Sequence, residues 1–192
     1  MRGRIRFDST FPNLQSGLGQ GLNGIQSVAE DLLKCIHAYQ NICATAAKHT
    51  RNNSVYQYFE SNYETEVRAK SLELAINFRI WDEKASEAEQ WRKILAEITS
   101  ERIGHMIEPD KEELSLREAC NKIVHAKRAV FQTIDYHFTD SELEQPVQVS
   151  ASDTRVTISG AKYGKPWKCK VDVLEFSICC HEAVDRWISG DF

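Results

Sequence analysis

The sequence predicts a mainly α-helical protein, a bundle of four long helices followed by a small antiparallel β-hairpin and a closing helix. Three observations carry that expectation. Apolar residues recur at spacings of three and four across most of residues 22 to 134. Asn, Ser, Pro and Gly fall between those periodic stretches. The pattern then changes to short-period, β-branched alternation between residues 147 and 173 before helical spacing returns.

The first helix is read in residues 22 to 49, where Ile25, Val28, Leu32, Cys35, Ile36, Tyr39 and Cys43 form one stripe. "TRNNS" breaks it, and Asn53 or Ser54 is placed to cap the next helix. The second occupies residues 54 to 82, with Tyr56, Phe59, Tyr63, Val67, Leu74, Phe78 and Trp81 on its apolar side. The third runs from residue 85 to about 107, more charged, with Trp91, Ile94, Leu95, Ile98 and Ile103 inward. Pro109 ends it, because proline lacks the N–H and clashes with the preceding turn. The fourth is expected over residues 112 to about 134. "AKYGKPWKCK" then reads as a hairpin turning near Tyr163 to Lys165, and residues 173 to 188 read as the closing helix. The organisation expected is a flexible lead-in at 1–21, a helical bundle at 22–134, and a hairpin plus C-terminal helix at 135–192 packed on the bundle.

Composition limits the function. A chain of 192 residues with 42% hydrophobic residues buries a core without staples. A net charge of −4 argues against a general nucleic-acid coat but allows a local basic site. No apolar run approaches the ~18 residues of a membrane helix, and the basic start lacks the apolar segment of a secretory signal. The six cysteines (Cys35, Cys43, Cys120, Cys169, Cys179 and Cys180) form no CxxC pair. Their expected setting is a reducing cytosol, with no structural metal and no cofactor. The glycines of the lead-in spell GxGxxG at Gly19 to Gly24 but lack the preceding strand that a dinucleotide site needs, and no Walker-type or GxSxG segment is present. His37, His105, His137 and His181 stand alone, without a second histidine one helical turn away in a metal-protease pattern.

"LREACNKIVHAKR", Leu116 to Arg128, carries the most informative pattern. Arg117, Asn121 and His125 are four apart. On a helical wheel with Arg117 at zero, Arg128 falls at about 20°, Asn121 at about 40° and His125 at about 80°. Leu116, Ala119, Cys120, Ile123, Val124, Val130 and Phe131 lie on the far side. One reading is a solvated face. However, Asn and His are poor helix formers, and a face that only meets water is better served by Lys, Glu or Gln. The alternative is a face with work to do, either packing against a partner or chemistry on a phosphate. Arg offers a permanent forked charge, and His moves protons near neutral pH. Lys162, Lys165, Lys168 and Lys170 interleave with Tyr163 and Trp167, a mix that suits either nucleic acid or a charged strand edge. In "FRIWDEK", Arg79, Asp82 and Glu83 read as an ion-paired helix end, or as a further charge beside the fourth helix.

With "CNKIVH" on a late helix, the layout resembles the HEPN superfamily, helical bundles of prokaryotic defence, toxin–antitoxin and RNA-processing systems. The resemblance covers residues 22 to 134. It implies a metal-independent endoribonuclease that pairs two motifs in a homodimer and acts on RNA such as tRNA or mRNA. Asn121 and His125 match the family's Asn and His. Where the family has Arg just before the Asn, this chain has Cys120, and Arg117 offers its guanidinium from one turn earlier. The implied roles are proton transfer by His125, charge stabilisation by Arg117 and orientation of His125 or of a phosphate by Asn121. Arg128, Lys127, Arg79, Lys165 and Lys168 would hold the RNA. The other expectation is a non-catalytic subunit that uses the same polar face to hold a partner protein.

Overall fold

The computed structural model describes residues 12–48, 54–98, 100–138 and 147–191, with side chains described in 21–43, 62–98, 102–135 and 150–191. Two long helices come first, α1 (Pro12–Lys48) and α2 (Ser54–Ala85). The α1 stripe buries Ile25, Ala29, Leu32, Ile36, Tyr39 and Cys43, and the α2 stripe buries Tyr63, Val67, Leu74, Phe78 and Trp81. These are the stripes that the periodicity predicts, and they pack on each other, with Tyr39 stacked on Tyr63 at 3.9 Å between ring centroids. The expected lead-in differs from the structure, because α1 already begins at Pro12. Residues 1–11 and Asn53, and the side chains of Ser54, Tyr56, Phe59 and His137, lie outside the described residues, and with them the cap expected at Asn53 or Ser54.

The chain departs from a mainly helical bundle after α2. The expected third helix is instead α3 (Glu89–Glu97), a single turn α4 (Ser100–Ile103) and a strand, β1 (Gly104–Glu108). Gly104 makes the change of direction. It sits at φ 144°, and a Cβ there would lie 2.1 Å from the Lys170 carbonyl oxygen. Only glycine permits that approach. The expected fourth helix is cut by half. It becomes α5 (Leu116–Val124), then β2 (Arg128–Phe138), a strand of eleven residues. Two further strands, β3 (Val147–Lys162) and β4 (Lys165–Asp172), lead into α6 (Val173–Ser189).

The four strands form one antiparallel sheet in the order β1-β4-β3-β2. The fold is therefore α+β rather than a helical bundle carrying a small hairpin. The physical reason lies in "RAVFQTIDYHF", where β-branched and aromatic residues alternate with polar ones. Val124 and Phe131 are seven apart, so a helical count also fits them, and that count mistook a strand for two more helical turns. In the sheet Phe131 is buried whereas its neighbour Val130 is 47% exposed, the alternation of a strand.

One sheet face carries Phe131, Val156, Ile158, Trp167, Cys169 and Val171 into a core shared with all the long helices. Between Phe131 and Thr133 the β2–β3 register slips, with extra residues on β3. Buried Asp153 holds this bulge by accepting from the Thr154 backbone N–H at 2.7 Å and pairing with Arg155. α6 closes the core. Asp172 caps it by accepting from the Leu174 and Glu175 N–H groups, and Ser177 Oγ donates to the Ala29 carbonyl of α1 at 3.0 Å. Among the described residues, no helix is long and apolar enough to cross a membrane.

Candidate nucleic-acid interface

The N-terminus of α5 is fixed by a reciprocal capping box. Ser115 Oγ accepts from the Glu118 N–H, and the Glu118 carboxylate accepts from the Ser115 N–H at 3.3 Å. The same turn sets Arg117 against α2. Its Nε lies 2.6 Å from Asp82 Oδ2 and its Nη2 2.9 Å from Asp82 Oδ1. Asp82 is 2% exposed, and its Oδ1 also accepts from Trp91 Nε1 at 2.9 Å. The bond to Asp82 raises the guanidinium pKa above its ordinary value. Arg117 thus neutralises a buried carboxylate. Its fork is spent on that carboxylate, so it is not a free group waiting for a phosphate.

Asn121, half-buried, stands between two clefts. The smaller, about 240 Å³, is lined by Arg79, Asp82, Glu83, Ser86 and Arg117. Arg79 does lie beside α5 here, but it faces Glu83 at 3.3 Å and shares the cleft with two carboxylates. The larger, about 470 Å³, is bounded on one side by Glu118, Lys122 and His125 and on the other by Ala161, Lys162, Tyr163 and Trp167.

This second cleft joins two stretches that are 35 residues or more apart in sequence, the polar face of α5 and the β3–β4 turn. His125 is the C-cap of α5 and is exposed. Just beyond it the chain crosses to the sheet, where the Lys127 N–H donates to the Ser159 carbonyl at 2.8 Å. Gly160 allows this contact. A Cβ on it would stand 2.8 Å from the His125 carbonyl oxygen and 2.5 Å from the Trp167 ring. Lys122 Nζ lies 4.7 Å from the centroid of the buried Trp167 ring, a cation–π contact that aims the ammonium into the cleft.

At the turn itself, Tyr163 (φ 51°) and Gly164 (φ 78°) both adopt positive φ. Gly is at ease there and tyrosine is strained. Tyr163 is also 95% exposed, so burial does not repay the strain. Lys162 Nζ sits 5.8 Å from the Tyr163 ring centroid.

Not every expected site residue joins this cleft. Arg128 does not share the azimuth of Arg117, because the helix has ended and Arg128 opens β2 opposite Ser159. Lys127 and Arg128 border a separate apolar cavity on the other side of the His125–Arg128 link. Lys165 pairs with Lys162 across the turn, on the cleft side of β4, whereas Lys168 alternates onto the sheet face opposite Trp167. Lys122 was not among the expected residues. It lies three before His125, on the same helix side, and that spacing could have found it. Among the described residues, no group of three or more His, Cys, Asp or Glu side chains is placed to hold a metal ion. The chain matches no family model, no curated protein and no solved structure.

Proposed function

We propose that the protein binds single-stranded RNA in the cleft between the C-terminal end of α5 and the β3–β4 turn, and that His125 serves metal-independent cleavage of that RNA. The observation that carries the binding is Tyr163, fully exposed in a strained turn at the mouth of a cleft holding Lys122, Lys162 and His125. Backbone strain of this kind persists where a side chain is wanted in one place. An exposed ring beside ammonium groups suits base stacking next to a phosphate.

The cleavage reading draws on the motif resemblance. His125 takes the proton from a ribose 2′-OH. The oxygen attacks the adjacent phosphorus, and the bond to the 5′-oxygen of the next nucleotide breaks. The ends are a 2′,3′-cyclic phosphate and a 5′-hydroxyl. Lys122, rather than Arg117, is the cation placed with His125 to stabilise the charged phosphorane. A second copy of the chain would supply the acid that protonates the leaving oxygen. A place in prokaryotic defence or a toxin–antitoxin pair follows from the same resemblance.

The Arg117–Asp82 pair favours a second reading. With that guanidinium committed, the α5 face would hold RNA or a partner protein without cutting. Incubation with tRNA in excess EDTA, beside His125→Ala and Tyr163→Asn, separates these readings. Cleavage lost in His125→Ala supports the nuclease. Binding lost in Tyr163→Asn, with no cleavage by any form, supports the non-catalytic RNA binder. An unmodified protein that neither cuts nor binds overturns the RNA reading.

A further inference from the structure

On the far side of the His125–Arg128 link, α2, α5 and the sheet border a half-open cavity of about 180 Å³. Its floor is the core face of the sheet, Phe131, Val156, Ile158 and Val171. A dry cavity of ~150 Å³ holds one benzene ring. This one is of that order, large enough for a single ring.

Two features make it more than a packing gap. Ser71 of α2 lines it, is 4% exposed, and its Oγ is buried with no hydrogen-bond partner. An unsatisfied buried hydroxyl is costly and calls for an explanation. The rim is cationic, with Arg68, Lys127 and Arg128. Arg68 donates one N–H to the Ala129 carbonyl at 3.3 Å, and none of the three is ion-paired among the described residues. Apolar walls, one polar group inside and charge at the mouth are the parts of a small-molecule site.

We propose that this cavity binds a small monocyclic aromatic anion, with the ring on the sheet face, one ring substituent hydrogen-bonded to Ser71 Oγ, and a carboxylate or phosphate held by Arg68, Lys127 and Arg128. The site is independent of the RNA reading, and its test uses no RNA.

The test is calorimetric titration of the full chain with 4-hydroxybenzoate, benzoate, 4-nitrophenyl phosphate and neutral toluene. The first and third separate a carboxylate head from a phosphate head. In the unmodified protein, 4-hydroxybenzoate binds about fivefold more tightly than benzoate, the worth of one hydrogen bond. Ser71→Ala removes that preference while leaving benzoate binding in place. Arg128→Ala weakens whichever anion binds, and added salt narrows the loss. Both variants are checked for a native circular dichroism spectrum. Binding by none of the three anions overturns the proposal, as does toluene binding as tightly as the anions. So does a hydroxyl preference that survives Ser71→Ala.

Discussion

Arg117 stands on α5 as though offered to solvent, yet its fork closes on Asp82, whose carboxylate is buried beside Trp91. Removing one partner of such a pair strands the other, at a cost of about 3 kcal/mol. Arg117→Met should therefore lower the urea midpoint markedly, and Arg117→Met with Asp82→Asn, which removes the charge but keeps an acceptor for Trp91 Nε1, should recover much of the loss. A double variant as unstable as the sum of its parts would remove the stranded-charge account. Tyr163 gives the opposite sign. Tyr163→Asn relieves the strained φ and should stabilise the chain by about 1 kcal/mol. It should also weaken single-stranded RNA by about 1–3 kcal/mol, the worth of one stacked base. Fluorescence anisotropy with a labelled oligonucleotide checks that cost, and stability gained with RNA affinity unchanged would count against the stacking role. Burial sets the thiols. It pushes Cys169 from 9.0 up to about 12 and Cys179 up to about 11. The neutral thiol is thus favoured in the folded chain, so this contribution is full below pH 9. It is lost as pH rises through the folded values, because the unfolded chain ionises first. Urea midpoints measured from pH 8 upward should fall, and Cys169→Ala should flatten that fall.

Elements were legible where one face meets one neighbour. The stripes of α1 and α2 and the closing helix could be read from spacing alone, and the hairpin at Tyr163–Gly164 from its turn chemistry. Elements were illegible where both periods fit. Val124, Val130 and Phe131 satisfy a helical count, and the alternation further along β2 together with the tertiary partner β3 decides for a strand. Gly104 was the missed signal in the third segment, a helix stop one residue after buried Ile103. The candidate site was legible in its parts. The α5 column and the lysine–aromatic turn could each be singled out, but their meeting depends on Gly160 and on sheet register, which no local pattern encodes. The same geometry predicts what alanine does. Gly104→Ala drives a Cβ into the Lys170 carbonyl at a φ that suits only glycine, so the β1–β4 pairing must yield. The expected loss is about 2 kcal/mol in thermal unfolding, and a melting temperature unchanged from the parent would contradict the close approach. For α5, Ser115→Ala breaks the capping box and should cost about 1 kcal/mol.

At the scale of the whole molecule, the core does not divide where the sequence pattern changes. A helical unit ending near residue 134 would keep α1, α2, α3 and α5, but it would lose β3, β4 and α6. One buried cluster runs from Leu22 through Phe131 and Trp167 to Val184. Trp81 and Trp91 each meet Trp187 of α6 edge-on, at about 6 Å between centroids. Cutting there would bare the α6-facing side of α1 and α2, including the turn of α1 at Ala29, whose carbonyl accepts from Ser177 Oγ. It would also leave the first part of β2 with no strand beside it. A strand without a partner has nowhere to place its backbone hydrogen bonds except water. Residues 1–134 alone should therefore collapse without a cooperative transition, whereas the full chain should unfold in one step. The paired measurement is near-ultraviolet and far-ultraviolet circular dichroism across a urea titration. In the longer chain the two signals should share a midpoint, because the tryptophan cluster and the sheet belong to one core. In the shorter chain helical signal should fade gradually with little tryptophan signal to lose. A sharp, shared transition in the shorter chain would mean that the helices form a domain of their own, with the sheet added to it.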